Sequence, residues 1–174
     1  MPRYLHSLII ESAKEFPEKA ALSFKDKSLT YGDLEKEVLA AAIGLKNLGV
    51  GRSERVGVYL PKLTETVITI FAASASGAVF VPVNPLLKGS QVEYILRDCN
   101  VRTLVTQSQR LDVVTENLHN CPDLHTVICI DKTKVKKIGH IQVVSWAETM
   151  SSDNITGESE YSLKIGRASC RERV

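Results

Sequence analysis

Apolar positions recur at helical spacing over the first fifty residues of the chain and then, from Arg55 onward, gather into short runs. Leu5, Leu8, Ile9, Ala13 and Phe16 fall on one face of a helix that Pro17 ends. Ala21–Phe24 and Ser28–Thr30 flank the turn-forming Lys25-Asp26-Lys27, which predicts a short hairpin. Thr30-Tyr31-Gly32-Asp33 has capping-box spacing, with a hydroxyl to accept from the third helical N–H and an acid to answer it. The helix it opens carries a core stripe of Leu34, Val38, Ala41, Leu45 and Leu48, and Gly49 stands where a left-handed cap is wanted.

The later runs, Val56–Leu60, Val79–Val83, Arg102–Thr106 and Thr126–Ile130, alternate with helical segments at Thr64–Ser76, Ser90–Cys99 and Ser108–His119. Such alternation predicts parallel βαβ units with helices over the sheet faces. A second capping box is expected at Ser90-Gln91-Val92-Glu93, a further strand at Gln142–Val144 before Trp146, and a polar loop over Ser151–Ser162.

Charge gives no pointer to a polyanionic partner. The chain has 22 Lys and Arg against 20 Asp and Glu, but three of those arginines and one glutamate lie in the last ten residues, leaving 19 of each in the body. A neutral body has no electrostatic footprint for nucleic acid or anionic lipid, and the cluster Lys132, Lys134, Lys136 and Lys137 reads as a solvated loop. The N-terminus lacks a signal-peptide core, and no apolar run approaches a membrane span. Cys99, Cys121, Cys129 and Cys170 show no paired spacing, which fits reduced thiols and a cytoplasmic protein.

Ile165–Val174 breaks from the rest: it lacks hydrophobic periodicity, and its back-translated codons resemble a common short-read sequencing adapter. That stretch is expected to be non-native and is set aside from fold reasoning.

Doubly wound sheets bind ligands at the carboxyl ends of their strands, so phosphate-binding glycines are the chemistry to look for. Gly49-Val50-Gly51 follows a helix, not a strand, and has Glu54 where a third glycine is needed, so it reads as cap and turn. His119, Cys121, His125 and Cys129 gather soft ligands, but Cys129 lies inside an apolar run and the spacing is poor for zinc. No electropositive context activates a Cys/His nucleophile pair.

Ser76-Gly77-Ala78-Val79-Phe80-Val81-Pro82-Val83-Asn84-Pro85 combines a helix end, a glycine turn, an apolar strand and two prolines that fix the exit from the sheet. This stretch resembles the early motif of adenylate-forming enzymes, with Ala75 in place of the usual basic residue and Ala78 in place of the second glycine. Leu29-Thr30-Tyr31-Gly32-Asp33-Leu34 resembles the family's earlier motif, and Phe16–Ala21, Val56-Gly57-Val58 and Leu104-Val105-Thr106 follow its order. The resemblance covers residues 4–164, and Asn84–Lys88 with Ile95–Cys99 looks most like bacterial acyl-CoA ligases encoded near exosortase and exopolysaccharide genes.

The resemblance implies an α/β fold: residues 1–164 form the N-terminal portion of an AMP-binding domain, a parallel βαβ sheet flanked by helices, incomplete. It implies an AMP-forming acyl-CoA ligase that uses a carboxylic acid, ATP, magnesium and coenzyme A. The family's phosphate loop, ribose-binding aspartate and mobile C-terminal domain have no counterpart here, so it lends no catalytic, cofactor-binding or metal-ligating residue to any position. It also implies apolar surface and a strand edge that later residues would cover. A small non-catalytic flavodoxin-like binding module is the alternative; a βαβ nucleotide enzyme of another kind is disfavoured by the missing glycines.

Overall fold

The computed structural model describes residues 4–150. The expected polar loop at 151–162, the boundary after Lys164 and the stretch at 165–174 lie outside them. The chain runs α1 (Ser7–Glu15), a β1–β2 hairpin (Ala20–Phe24, Lys27–Thr30), α2 (Tyr31–Asn47), β3 (Arg55–Tyr59), α3 (Thr64–Ser76), β4 (Val79–Pro82), α4 (Gly89–Asp98) and β5 (Val101–Thr106). It continues through α5 (Ser108–Leu118), β6 (Thr126–Cys129), β7 (Lys137–Ile138), β8 (Ile141–Ser145) and α6 (Trp146–Thr149). The main sheet has strand order β4-β3-β5-β6-β8-β7; all neighbours are parallel except the β7–β8 pair.

β3 shows why the sheet needs two covers. Val56 and Val58 face a core with Leu34, Val38, Ala41 and Leu45 of α2 and Ile68, Ala72 and Ala73 of α3. Tyr59 belongs to the opposite core, with Val92 and Leu96 of α4 and Leu111, Val114 and Leu118 of α5. Gly57 leaves that second face open for its neighbours: a Cβ there would meet Leu104 Cδ1 and Val101 Cγ1 at 3.1 Å and Leu96 Cδ2 at 3.3 Å. A strand buried on both sides reads as a continuous apolar run, as parallel strands do.

The helix boundaries follow local chemistry. Thr30 Oγ1 accepts from the Asp33 N–H at 3.1 Å, as the motif predicts, while the Asp33 carboxylate returns to the Thr30 hydroxyl at 2.9 Å instead of to its backbone. Gly49 takes φ +85°, and the Gly49 and Val50 N–H groups donate to the carbonyls of Lys46 and Leu45, a Schellman closure of α2. The box expected at Ser90–Glu93 does not form. α4 begins at Gly89, Gln91 Oε1 accepts from the Lys88 N–H at 3.0 Å, and Glu93 instead binds Asn117 of α5 and Arg97. β7 and α6 were not expected; α6 is opened by a complete box in which Ser145 and Glu148 serve each other's N–H groups.

Helices α2 and α3 pack on one face of the sheet and α4 and α5 on the other, and β4 is an edge strand. Along β4, the Val79 and Val83 N–H groups donate to the carbonyls of Glu54, just before β3, and Val58, which turns the backbone positions of Phe80 and Pro82 outward. Pro82 has no N–H to offer, and Val79 is 49% exposed.

Gly44 of α2 is the seat of α6. A Cβ at Gly44 would collide with Thr149 O and Cγ2 and lie 3.0 Å from its carbonyl carbon. Alanine gains about 1 kcal/mol of helix propensity over glycine, but a clash with backbone costs about 1–3 kcal/mol. Gly44→Ala is therefore expected to be net destabilising, with the loss seen in denaturant titrations followed by Trp146, the single tryptophan.

Candidate functional site

The strand order carries a topological switch. From β3 the chain moves one way to β4, then crosses back to β5, and α3 and α4 leave on opposite faces. A crevice outside the carboxyl ends of β3 and β5 is where such sheets bind ligands. Tyr59 and Thr106, the last residues of the two strands, meet there: Thr106 Oγ1 donates to Tyr59 O at 3.0 Å. The fully buried Tyr59 phenol donates to Leu87 O at 2.9 Å and so fastens the β4–α4 loop. Within that loop Asn84 Oδ1 accepts from the Leu86 N–H at 2.9 Å and Asn84 O from the Leu87 N–H at 3.1 Å. The Leu86 side chain is 80% exposed.

The first turn of α5 borders the same edge. Ser108 N–H and Oγ each donate to Asp131, just after β6, at 2.6 Å, and Cys129 Sγ donates to Asp131 Oδ1 at 3.1 Å. Burial pushes the Asp131 carboxyl up, but the donors from Ser108 and Cys129 outweigh it and hold the group below the usual carboxylate range. The Cys129 thiol is pushed up to about 12, by burial first and then by Asp131. Arg110, also in this turn, has a buried Nε with no hydrogen-bond partner among the described residues. A cation at a helix N-terminus opposes the macrodipole, and an unmet buried donor adds a desolvation cost.

The soft-ligand cluster weighed from sequence is dispersed. Cys129 lies at the carboxyl end of β6 and His125 just before its amino end, roughly 13 Å apart along a strand. Cys121 is buried after α5, and burial pushes its thiol up to about 11. Among the described residues no three His, Cys, Asp or Glu side chains gather as a metal would require. His125 Nε2 instead meets Arg102 Nη1 at 2.8 Å; Arg102 Nε donates to Glu54 Oε1 at 3.1 Å, and Gly51 N–H to Glu54 Oε2 at 2.8 Å. The Gly51 bond, followed by Arg102, holds the Glu54 carboxyl below its ordinary value. These groups stitch the amino edge, away from the switch crevice. Gly49-Val50-Gly51 is cap and turn, as its spacing predicts.

Comparison with known proteins gives this edge its context. The family profile described as AMP-binding enzyme matches residues 9–159. The chain belongs to the AMP-binding enzyme family. It is 37% identical over 102 residues to a long-chain-fatty-acid–CoA ligase of Bacillus subtilis (strain 168), covering 59% of this chain and 18% of that protein. It is 32% identical over 128 residues to tyrocidine synthase 3 of Brevibacillus parabrevis, covering 72% of this chain and 2% of that protein. The chain thus spans less than a fifth of the length of these curated relatives. An anthranilate CoA ligase solved in complex with anthranoyl-AMP superposes with TM-score 0.77 at 28% identity, over 86% of this chain and 28% of that one. The solved N-terminal domain of FACL13 from Mycobacterium tuberculosis shares the fold at TM-score 0.68 and 20% identity, over 87% of this chain and 36% of its own. The α/β sheet is the N-terminal part of the adenylate-forming fold.

The first turn of α5 does not offer a free seat for a phosphate group. A helix N-terminus in this fold is the natural anion seat, yet at α5 that seat is taken by the chain's own Asp131 carboxylate. Sequence reasoning missed Asp131, whose partner Ser108 is 23 residues away. It also passed over Arg110 and Tyr59, although a cation in a first helical turn and a phenol ending an aliphatic strand are visible signals.

Asp131→Ala should cost about 1–2 kcal/mol, as loss of a helix cap does. A carboxyl lowered on folding stabilises above its unfolded value, near pH 3.9, and loses that contribution as pH falls through the folded value. Thermal melts should accordingly show the gap between wild type and Asp131→Ala closing below about pH 4.

Proposed function

We propose that this chain is the opening part of an AMP-forming acid–thiol ligase, of the exosortase-associated acyl-CoA ligase type. In the whole protein a carboxylic acid is joined to the α-phosphate of ATP with release of pyrophosphate, and the thiol of coenzyme A then displaces AMP. Magnesium serves the first step, the working compartment is the cytoplasm, and neither nucleic acid nor a membrane span takes part. Among the described residues no helix is long and apolar enough to cross a membrane, which is compatible with that reading. Residues 1–164 supply scaffold, the groups that perform the chemistry belong to later segments, and 165–174 are adapter-derived.

The observation that carries this reading is the family match across 9–159, most of the 174-residue chain. Coenzyme A as acceptor is supported by likeness to two CoA ligases, the fatty-acid–CoA ligase at 37% identity and the anthranilate CoA ligase at 28%. The strand order alone would equally suit a flavodoxin-like binding module, since folds host many functions. The family match supports the ligase reading.

The test joins genetics to enzymology. Amplifying the source locus should show the reading frame continuing past Lys164 and diverging from the Ile165–Val174 codons. The full-length product should exchange pyrophosphate into ATP with a carboxylic acid, and the 174-residue chain should not. Finding those ten codons intact in the genome, or exchange by the 174-residue chain above a heat-killed control, would overturn the proposal.

A further inference from the structure

We infer that Tyr59 is a positioning residue for the ligand edge: its phenol sets the place of the Asn84–Lys88 loop at the switch crevice, and thereby the affinity for a substrate seated there. The inference rests on the proposed ligase function and adds a residue to it.

Three observations converge. Tyr59 ends β3, beside the crossing point of the topology, where general rules for doubly wound sheets put ligands. Packing alone would accept phenylalanine in the core made with Val92, Leu96 and Leu104, and the hydroxyl adds a 2.9 Å bond to Leu87 O in a loop 28 residues away. A phenol with no water to turn to keeps its partner, so the bond persists while the loop's outer surface meets solvent. The loop is stiffened from within as well: Pro82 and Pro85 fix two φ angles, and Asn84 accepts from both Leu86 and Leu87. The result is a short rim that presents Leu86 at 80% exposure and is held from beneath by the Tyr59 hydroxyl and by Leu87 packed against the same core. Rigid rims of this kind raise affinity by removing the ordering cost of binding.

The test uses the full-length ligase from the source locus with Tyr59→Phe, and Thr69→Val as a comparator. Thr69 also has a buried hydroxyl, bonded at 2.6 Å to Glu65 O within α3. Amide hydrogen exchange over Leu86–Lys88 and steady-state kinetics with ATP, carboxylic acid and coenzyme A are measured for each. Tyr59→Phe should speed exchange in the loop about fivefold or more, the size of one neutral hydrogen bond, and raise KM for one of the three substrates about fivefold. Its kcat should stay within about twofold, and Thr69→Val should change neither loop exchange nor that KM. Unchanged loop exchange in Tyr59→Phe would overturn the inference. So would faster exchange with all three KM values unmoved, or the same KM rise in Thr69→Val. A wild type inactive in every assay would sink the ligase reading instead, and the exchange arm would still decide whether Tyr59 holds the loop.

Discussion

A strand with no solvent face is the constraint from which the rest of this molecule follows. Val56 and Val58 turn one way and Gly57 and Tyr59 the other, and both sides must be dry. Neither α2 with α3 nor α4 with α5 could be dispensed with, because each pair covers apolar surface worth about 25 cal/mol per Å² that the other cannot reach. The alternating βαβ order is the economical answer. Right-handed crossovers send successive helices to opposite faces once the chain reverses its direction across the sheet, and that reversal creates the crevice at Tyr59 and Thr106. Burial and topology are thus coupled: the arrangement that protects β3 also puts the switch point beside its own last residue.

Much of the scaffold was legible in the sequence because it is encoded locally. Strand limits read from apolar runs, such as Thr126–Ile130 against Thr126–Cys129, agree to within a residue, and Gly49 closes α2 in the way its position announces. The α4 box failed because Ser90 competed with a better start: Gln91 reaches back to Lys88, while Glu93 is claimed by Asn117 on another helix. Tertiary demand overrode a local motif. β7 and α6 escaped notice because two- and four-residue elements carry too little periodicity to register, though the Ser145-x-x-Glu148 spacing was there to be read.

The edge that would face a ligand was less legible, for a physical reason. Its decisive bonds, Tyr59 to Leu87 and Ser108 to Asp131, join residues separated by 28 and 23 positions, and no local pattern announces such pairs. They also change what composition seems to say. A helix N-terminus after a β-strand suggests a phosphate seat, but here the carboxylate of Asp131 fills it, so the favourable dipole is spent on holding α5 to β6. Arg110 is the opposite case, a cation set against the dipole with a buried donor left unmet, in a poor place for stability.

The two borders of the sheet bear on how copies of this chain can meet. At β4 the outward backbone positions are Phe80 and Pro82, and the second offers no donor; at the far border β7 is two residues long and begins with Lys137. A strand bonds to one neighbour through every second residue, so Pro82 removes one of the outward donors of β4 and β7 has room for very few, which makes both borders poor templates for a further strand. Copies of the chain that meet at either border of the main sheet would find side chains there more readily than a row of free backbone partners, so the register that makes fibrils permanent has little to start from at these two borders.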